Sequence, residues 1–169
     1  MQGERTDELA PGILPEYQPT ILVVDDEAPV RHFLKVLLER LGYRVDTATG
    51  GPDALRKTAI VNYDVVLTDL IMPRMDGLEV IRRVKEISPE TEVVMITGYP
   101  SSETIVAATR AGALDYLPKS PDPEHLAALV EKAMKMRTLR RKAAERDFYV
   151  HMAQMDGLTE LFTRSSFRR

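Results

Sequence analysis

A chain of 169 residues with a net charge of −3 has room for one domain with a sizeable core plus an extension, and its charge argues against a globally basic nucleic-acid binder. The absence of cysteine excludes disulfides, thiolate metal sites and cysteine nucleophiles, and it fits a reducing compartment. No apolar run approaches a bilayer span, and Met1-Gln2-Gly3-Glu4-Arg5 does not open a signal peptide, so a cytoplasmic protein with no membrane partner is expected.

Residues 1–19 carry Pro11, Gly12, Pro15 and Pro19 with little periodicity and read as a flexible leader. From Thr20 the pattern becomes regular. Ile21 to Val24 predicts a short buried strand, followed by a helix from Pro29 to Leu41 whose Val30, Phe33, Leu34, Leu37, Leu38 and Leu41 share one face. Gly42 is its stop signal. The cycle repeats as strand Arg44 to Ala48 and helix Pro52 to Ile60, then strand Asp64 to Asp69 and helix Leu78 to Ile87. It continues with strand Glu92 to Thr97 and helix Ser102 to Ala111, then strand Ala113 to Leu117 and a helix from Pro123 onward. Parallel strands need crossover connections, which are nearly always right-handed. Five such units therefore predict an α/β fold: a flavodoxin-like, doubly wound, five-stranded parallel sheet in the order 2-1-3-4-5.

In that order the first and third strands flank the topological switch point, where open α/β sheets bind ligands. The first ends at Asp25-Asp26 and the third at Asp69, so three carboxylates converge at one sheet edge. Clustered carboxylates raise one another's pKa, and a cation that keeps them ionised relieves the repulsion. Oxygen-only donors favour a hard ion such as Mg²⁺. For Asp26 alone, the N-cap of the next helix is an equally good reading. Asp69 is followed by a loop containing Pro73 and Asp76-Gly77, so Asp76 is the better cap there. Thr97 closes the fourth strand and Lys119 follows the fifth, adding a hydroxyl and an ammonium suited to phosphoryl oxygens.

The set Asp25-Asp26, Thr68-Asp69, Met72-Pro73-Arg74-Met75-Asp76-Gly77, Thr97-Gly98, Ala111-Gly112-Ala113 and Asp115-Tyr116-Leu117-Pro118-Lys119 resembles the receiver domain of two-component response regulators over residues 20–139. The resemblance implies that Asp69 accepts a phosphoryl group from a sensor histidine kinase. It implies that Asp25, Asp26, Asp69 and the Ile71 backbone carbonyl hold Mg²⁺, that Thr97 and Lys119 bind the phosphoryl oxygens, and that Tyr116 and Thr97 form the switch. Receivers usually carry a proline directly after the lysine, joined by a cis bond. Here Ser120 stands in that place, which puts the geometry of this loop in question. Ile71 and Tyr99 occupy positions that govern hydrolytic water, and their bulk implies a slowly hydrolysing phosphoryl-aspartate. A Mg²⁺-dependent phosphohydrolase is disfavoured, because Ile71 stands where a second aspartate would act as acid or base.

From Pro123 no proline or glycine intervenes until Gly157, predicting one long helix whose residues 140–155 form a signalling and dimerisation segment. Its distal half has nothing in its own domain to cover it, so a parallel homodimer is expected. The basic cluster Arg137, Arg140, Arg141, Lys142 and Arg146 is interleaved with Glu145 and Asp147 and followed by no helix-turn-helix, so direct nucleic-acid binding is not expected. Residues 156–169 resemble the opening of GGDEF domains, the diguanylate cyclases: Asp156, Leu158, Thr159, Leu161, Arg164 and Phe167 match, while Thr163 replaces the usual asparagine. That resemblance implies a fragment carrying only the start of an effector, and thus a switch module that is not itself an enzyme. A stand-alone adaptor and the receiver of an ATPase-type transcriptional regulator are the alternatives.

Overall fold

The computed structural model describes residues 17–165, with side chains to residue 157. Most of the leader and the end of the GGDEF-like segment lie outside the described residues. The elements alternate without exception: β1 (Thr20–Val24), α1 (Ala28–Arg40), β2 (Arg44–Ala48), α2 (Gly51–Ile60), β3 (Val65–Asp69), α3 (Gly77–Ile87), β4 (Glu92–Thr97), α4 (Ser102–Ala111), β5 (Asp115–Pro118) and α5 (Pro123–Ser165). All strand pairs are parallel and the order is β2-β1-β3-β4-β5, as the crossover rule predicts.

Successive strand residues point to opposite faces, and the sequence fills both faces with apolar side chains. On one face Leu22, Val24, Val66, Val93 and Met95 pack against Ala54 of α2, Val80, Ile81 and Val84 of α3 and Ala108 of α4. On the other, Ile21, Val23, Leu67 and Ile96 meet Leu34 and Leu38 of α1 and Leu126, Leu129, Val130 and Ala133 of α5. Each buried Val, Leu, Ile or Met among these stabilises the fold by about 1.5–3 kcal/mol before chain entropy is counted, so the central strands are its fixed reference.

Helix ends show which polar residues are structural. Asp76 caps α3, accepting the Glu79 N–H at 2.9 Å, and Ser101 caps α4 in a reciprocal capping box with Thr104. The N-cap of α1 is Glu27, without a side-chain cap bond, so the capping alternative for Asp26 is not realised. After α1, Gly42 takes φ 95°, a left-handed turn natural to glycine. The fifth strand begins at Asp115 rather than Ala113, because Gly112 (φ 113°) ends α4 and the Ala113 N–H still bonds back to Ala108.

Helix α5 is 43 residues long. Its sheet-facing stripe ends at Ala133, Met134 and Arg137, and every described side chain from residue 138 to 157 is exposed. No described helix is long and apolar enough to cross a membrane.

Candidate functional site

The carboxyl ends of β1 and β3 bring the predicted acids together. Asp25 follows β1 directly and is fully buried, fixed by its own N–H to the Ala48 carbonyl at 3.2 Å. Its Oδ1 accepts the Glu27 N–H at 2.8 Å, and Arg31 donates to its backbone carbonyl at 2.7 Å. Asp69, the last residue of β3, is 2% exposed. A side chain at Gly77 would place its Cβ 2.2 Å from the Asp69 carbonyl oxygen. Only glycine lets α3 start against the end of β3, so Asp76-Gly77 positions the site as well as turning the chain. That role was hidden in the sequence behind an ordinary turn signal.

Lys119 joins the acids. Its Nζ lies 3.2 Å from Asp69 Oδ2, 3.3 Å from Glu27 Oε1 and 3.9 Å from Asp25 Oδ2. The contact to Asp69 is an ion pair without hydrogen-bond alignment, and Asp25 Oδ2 and Asp69 Oδ2 are both buried with no hydrogen-bond partner among the described residues. One ammonium thus serves three carboxylates, Asp25, Glu27 and Asp69, with Asp26 adding a fourth acid beside Asp25 and Glu27. The ionisation follows. Burial pushes Asp25 up to about 6, with the Glu27 N–H opposing and the Asp69 charge adding to the rise. Burial also raises Asp69, outweighing Lys119 and the backbone N–H groups of Ile71 and Leu70. Burial works to lower Lys119, but its contact with Asp69 and the charge of Asp25 prevail and hold it above the usual lysine range.

The donor set fits a hard divalent cation. Carboxylate oxygens of Asp25, Asp26 and Glu27 lie within 4.8 Å of one another, Asp26 and Glu27 being exposed, and Asp25 Oδ2 and Asp69 Oδ2 have no hydrogen bond among the described residues. Glu27 was not singled out in the sequence, although the acidic triplet Asp25-Asp26-Glu27 was there to be read. Asp69 lies outside that trio, with Oδ2 beside Lys119. Next to the trio a cavity of about 310 Å³ opens between Asp26, Gly50, Arg56 and Arg74.

Thr97 ends β4, is 3% exposed, and its Oγ1 accepts the Tyr99 N–H at 3.2 Å. The Lys119 N–H bonds to the Thr97 carbonyl at 3.0 Å, tying β5's exit to β4's end. Tyr116 pairs in register with Met95, two residues before Thr97, and packs half-buried on the same face. The Lys119–Ser120 bond is trans, and Ser120 completes the turn at φ 57°. Ile71 and Tyr99 are 74% and 88% exposed at the rim. From the basic cluster, Arg137 and Arg140 are held in ion pairs with Asp64 and Glu92.

The family model of the response regulator receiver domain matches residues 21–131. The transcriptional regulatory protein ResD of Bacillus subtilis is 36% identical over 129 residues, 76% of this chain and 51% of ResD. Transcriptional regulatory protein ZraR of Escherichia coli K12 is 41% identical over 114 residues, 68% of this chain and 26% of ZraR. The chain therefore spans between a quarter and a half of these relatives' length. Among solved structures, a receiver domain protein from Clostridium thermocellum superposes with a TM-score of 0.68 at 32% identity, covering 72% of this chain and 98% of that one. NtrX from Brucella abortus, solved in complex with ADP, gives 0.71 at 32% identity, covering 76% of this chain and 30% of its own. Matched over most of its length, with the predicted sheet order and the acid pocket at its switch point, the chain belongs to the response regulator receiver domain family.

Proposed function

We propose that the chain is a phosphorylation-dependent switch in which Asp69 accepts a phosphoryl group from a sensor histidine kinase. The observation that carries this is the under-neutralised pocket: one lysine beside the carboxylates of Asp25, Glu27 and Asp69, with Asp25 Oδ2 and Asp69 Oδ2 buried without hydrogen-bond partners among the described residues. An Asp69 carboxylate oxygen attacks phosphorus and forms the new P–O bond. The donor's bond to phosphorus breaks, its electron pair leaving with the donor. Lys119 balances charge on the transferred oxygens, and Thr97 donates a hydrogen bond after releasing the Tyr99 N–H. Asp25, Asp26 and Asp69, with the Ile71 carbonyl and Glu27, would hold Mg²⁺. When bound, the ion lowers the cost of bringing a phosphoryl anion to a carboxylate.

Thr97 turning toward the phosphoryl group vacates space on the face it shares with Tyr116, and the ring moving inward is the two-state element. Acetyl phosphate with Mg²⁺ should label the wild type and leave Asp69→Asn unlabelled; equal labelling of both rejects the assignment. The bulky Ile71 and Tyr99 at the rim support slow hydrolysis, and decay of the label within seconds contradicts it.

The output runs through α5, whose exposed Leu139, Phe148, Tyr149 and Met152 favour pairing with a second copy in a parallel dimer. Different observations support two effectors. The motif from Asp156 to Phe167 supports a diguanylate cyclase. The relatives' names, transcriptional regulators among them, and the ADP bound to NtrX support an ATPase-type transcriptional regulator. The reading frame after Arg169 separates them: a GGDEF signature settles one and a nucleotide-binding ATPase segment the other.

A further inference from the structure

The stripe that docks α5 on the sheet runs through Leu126, Leu129, Val130 and Ala133, and the next position at helical spacing is Arg137. Arg137 is 8% exposed, at a place where an apolar side chain would continue the core. Its Nη1 lies 2.9 Å from Asp64 Oδ1, on the residue just before β3, itself 2% exposed. Asp64 also accepts the Thr20 N–H at 2.8 Å and the Tyr17 hydroxyl at 2.6 Å. One turn further along α5, Arg140 pairs with Glu92, the fully buried first residue of β4. Both arginines lie beyond residue 131, where the family match ends.

We propose that Arg137 and Arg140 form a two-point ionic latch that sets where α5 leaves the domain, holding it to the starts of β3 and β4 and joining it through Asp64 to the Tyr17 segment. The alternative is that apolar packing alone ends the docked part of the helix, near Met134. A carboxylate buried without its counter-charge is costly, so each pair resists separation more than a surface salt bridge does. Glu92 Oε2 and Arg137 Nε are also buried without hydrogen-bond partners among the described residues, so the ion pairs are what compensate the burial of these two charged groups. Without the latch, the turns after Met134 lose their tether.

Placement gives the latch its significance. Asp64 and Asp69 bracket β3, Glu92 and Thr97 bracket β4, and each span is five residue steps, about 16 Å at roughly 3.3 Å per step. The helix is thus fastened to the same two strands that end in the acid pocket. The latch itself is independent of whether Asp69 is phosphorylated.

Amide exchange across residues 135–146 tests this, together with a pulsed spin-label distance between Ile60→Cys and Gln154→Cys, both positions exposed in a chain without native cysteine. Labelled protein is diluted with unlabelled chain so that only intrachain distances are read. Two charge-neutral pairs, Arg137→Gln with Asp64→Asn and Arg140→Gln with Glu92→Gln, remove one latch point each without stranding a buried charge. Each should accelerate exchange in 135–146 by about tenfold or more and broaden the distance distribution, while β3 and β4 stay protected. Arg140→Ala, at a half-exposed site, should show the same trend should a buried pair fail to fold. Lys135→Ala, whose ion pair with Glu131 is exposed, should change neither reading. Unchanged exchange and distance in a folded latch variant, or an equal effect from Lys135→Ala, overturns the proposal.

Discussion

The two ends of the sheet treat buried carboxylates in opposite ways. At the carboxyl end, Asp25 and Asp69 share one lysine with a third acid, Glu27. At the amino end, Asp64 and Glu92 each have an arginine of their own, and Asp64 adds two hydrogen bonds. Burial, strand-end placement and two buried atoms without hydrogen-bond partners among the described residues are common to both ends, so none of these properties marks a reactive site. The balance of charge does: the amino end is neutralised by the chain itself, while the carboxyl end is arranged to be completed by something brought to it.

Removing charge should therefore act oppositely at the two ends. Arg137→Ala strands Asp64 and should cost about 3–5 kcal/mol of stability, read by urea denaturation. If it costs less than a surface substitution, the amino end is not neutralised in the sense described. Lys119→Ala should slow labelling by acetyl phosphate on the order of a hundredfold, the usual loss of one charge-stabilising group, and a rate within twofold of wild type contradicts its role.

Asp25 gives a smaller and inverted effect. Its folded pKa of about 6 lies above its ordinary 3.8, so between those values the folded state keeps a proton that the unfolded state has released. In chelator, its contribution to stability is fully present below about pH 4, is lost as pH rises toward 6, and is level above that. Asp25→Asn should then stabilise the metal-free protein at pH 7 by on the order of 1–3 kcal/mol and change little at pH 4. Destabilisation at pH 7 breaks the comparison. The smallest effect is that of the ion: Mg²⁺ at tenfold its Kd should add about 1.4 kcal/mol, seen as a raised Tm, and the gain should vanish in Asp25→Asn with Asp26→Asn.

The sheet order and nearly every element were legible because apolar periodicity and crossover handedness act locally. The acid pocket was legible because Asp25, Asp26, Asp69, Thr97 and Lys119 all stand at strand ends. Glu27 escaped because it lies two residues past Asp25, beyond the strand end to which the pocket was assigned. Arg137 escaped for a different reason: a charge on an apolar stripe reads as an interruption unless its partner is known, and Asp64 lies just before β3, far away in sequence. Asp64 was itself read as a strand residue, which concealed that it is the hub joining Tyr17, Thr20 and Arg137.

The most direct measurement is the site of phosphorylation. After labelling with acetyl phosphate in Mg²⁺, borohydride reduction of the phosphoryl-aspartate and peptide mass spectrometry locate the modified residue. A single modification at Asp69, with Asp64 and Glu92 untouched, is the predicted result. Modification at either amino-end carboxylate, or a label that persists in Asp69→Asn, would contradict the claim that incomplete neutralisation marks the reactive end.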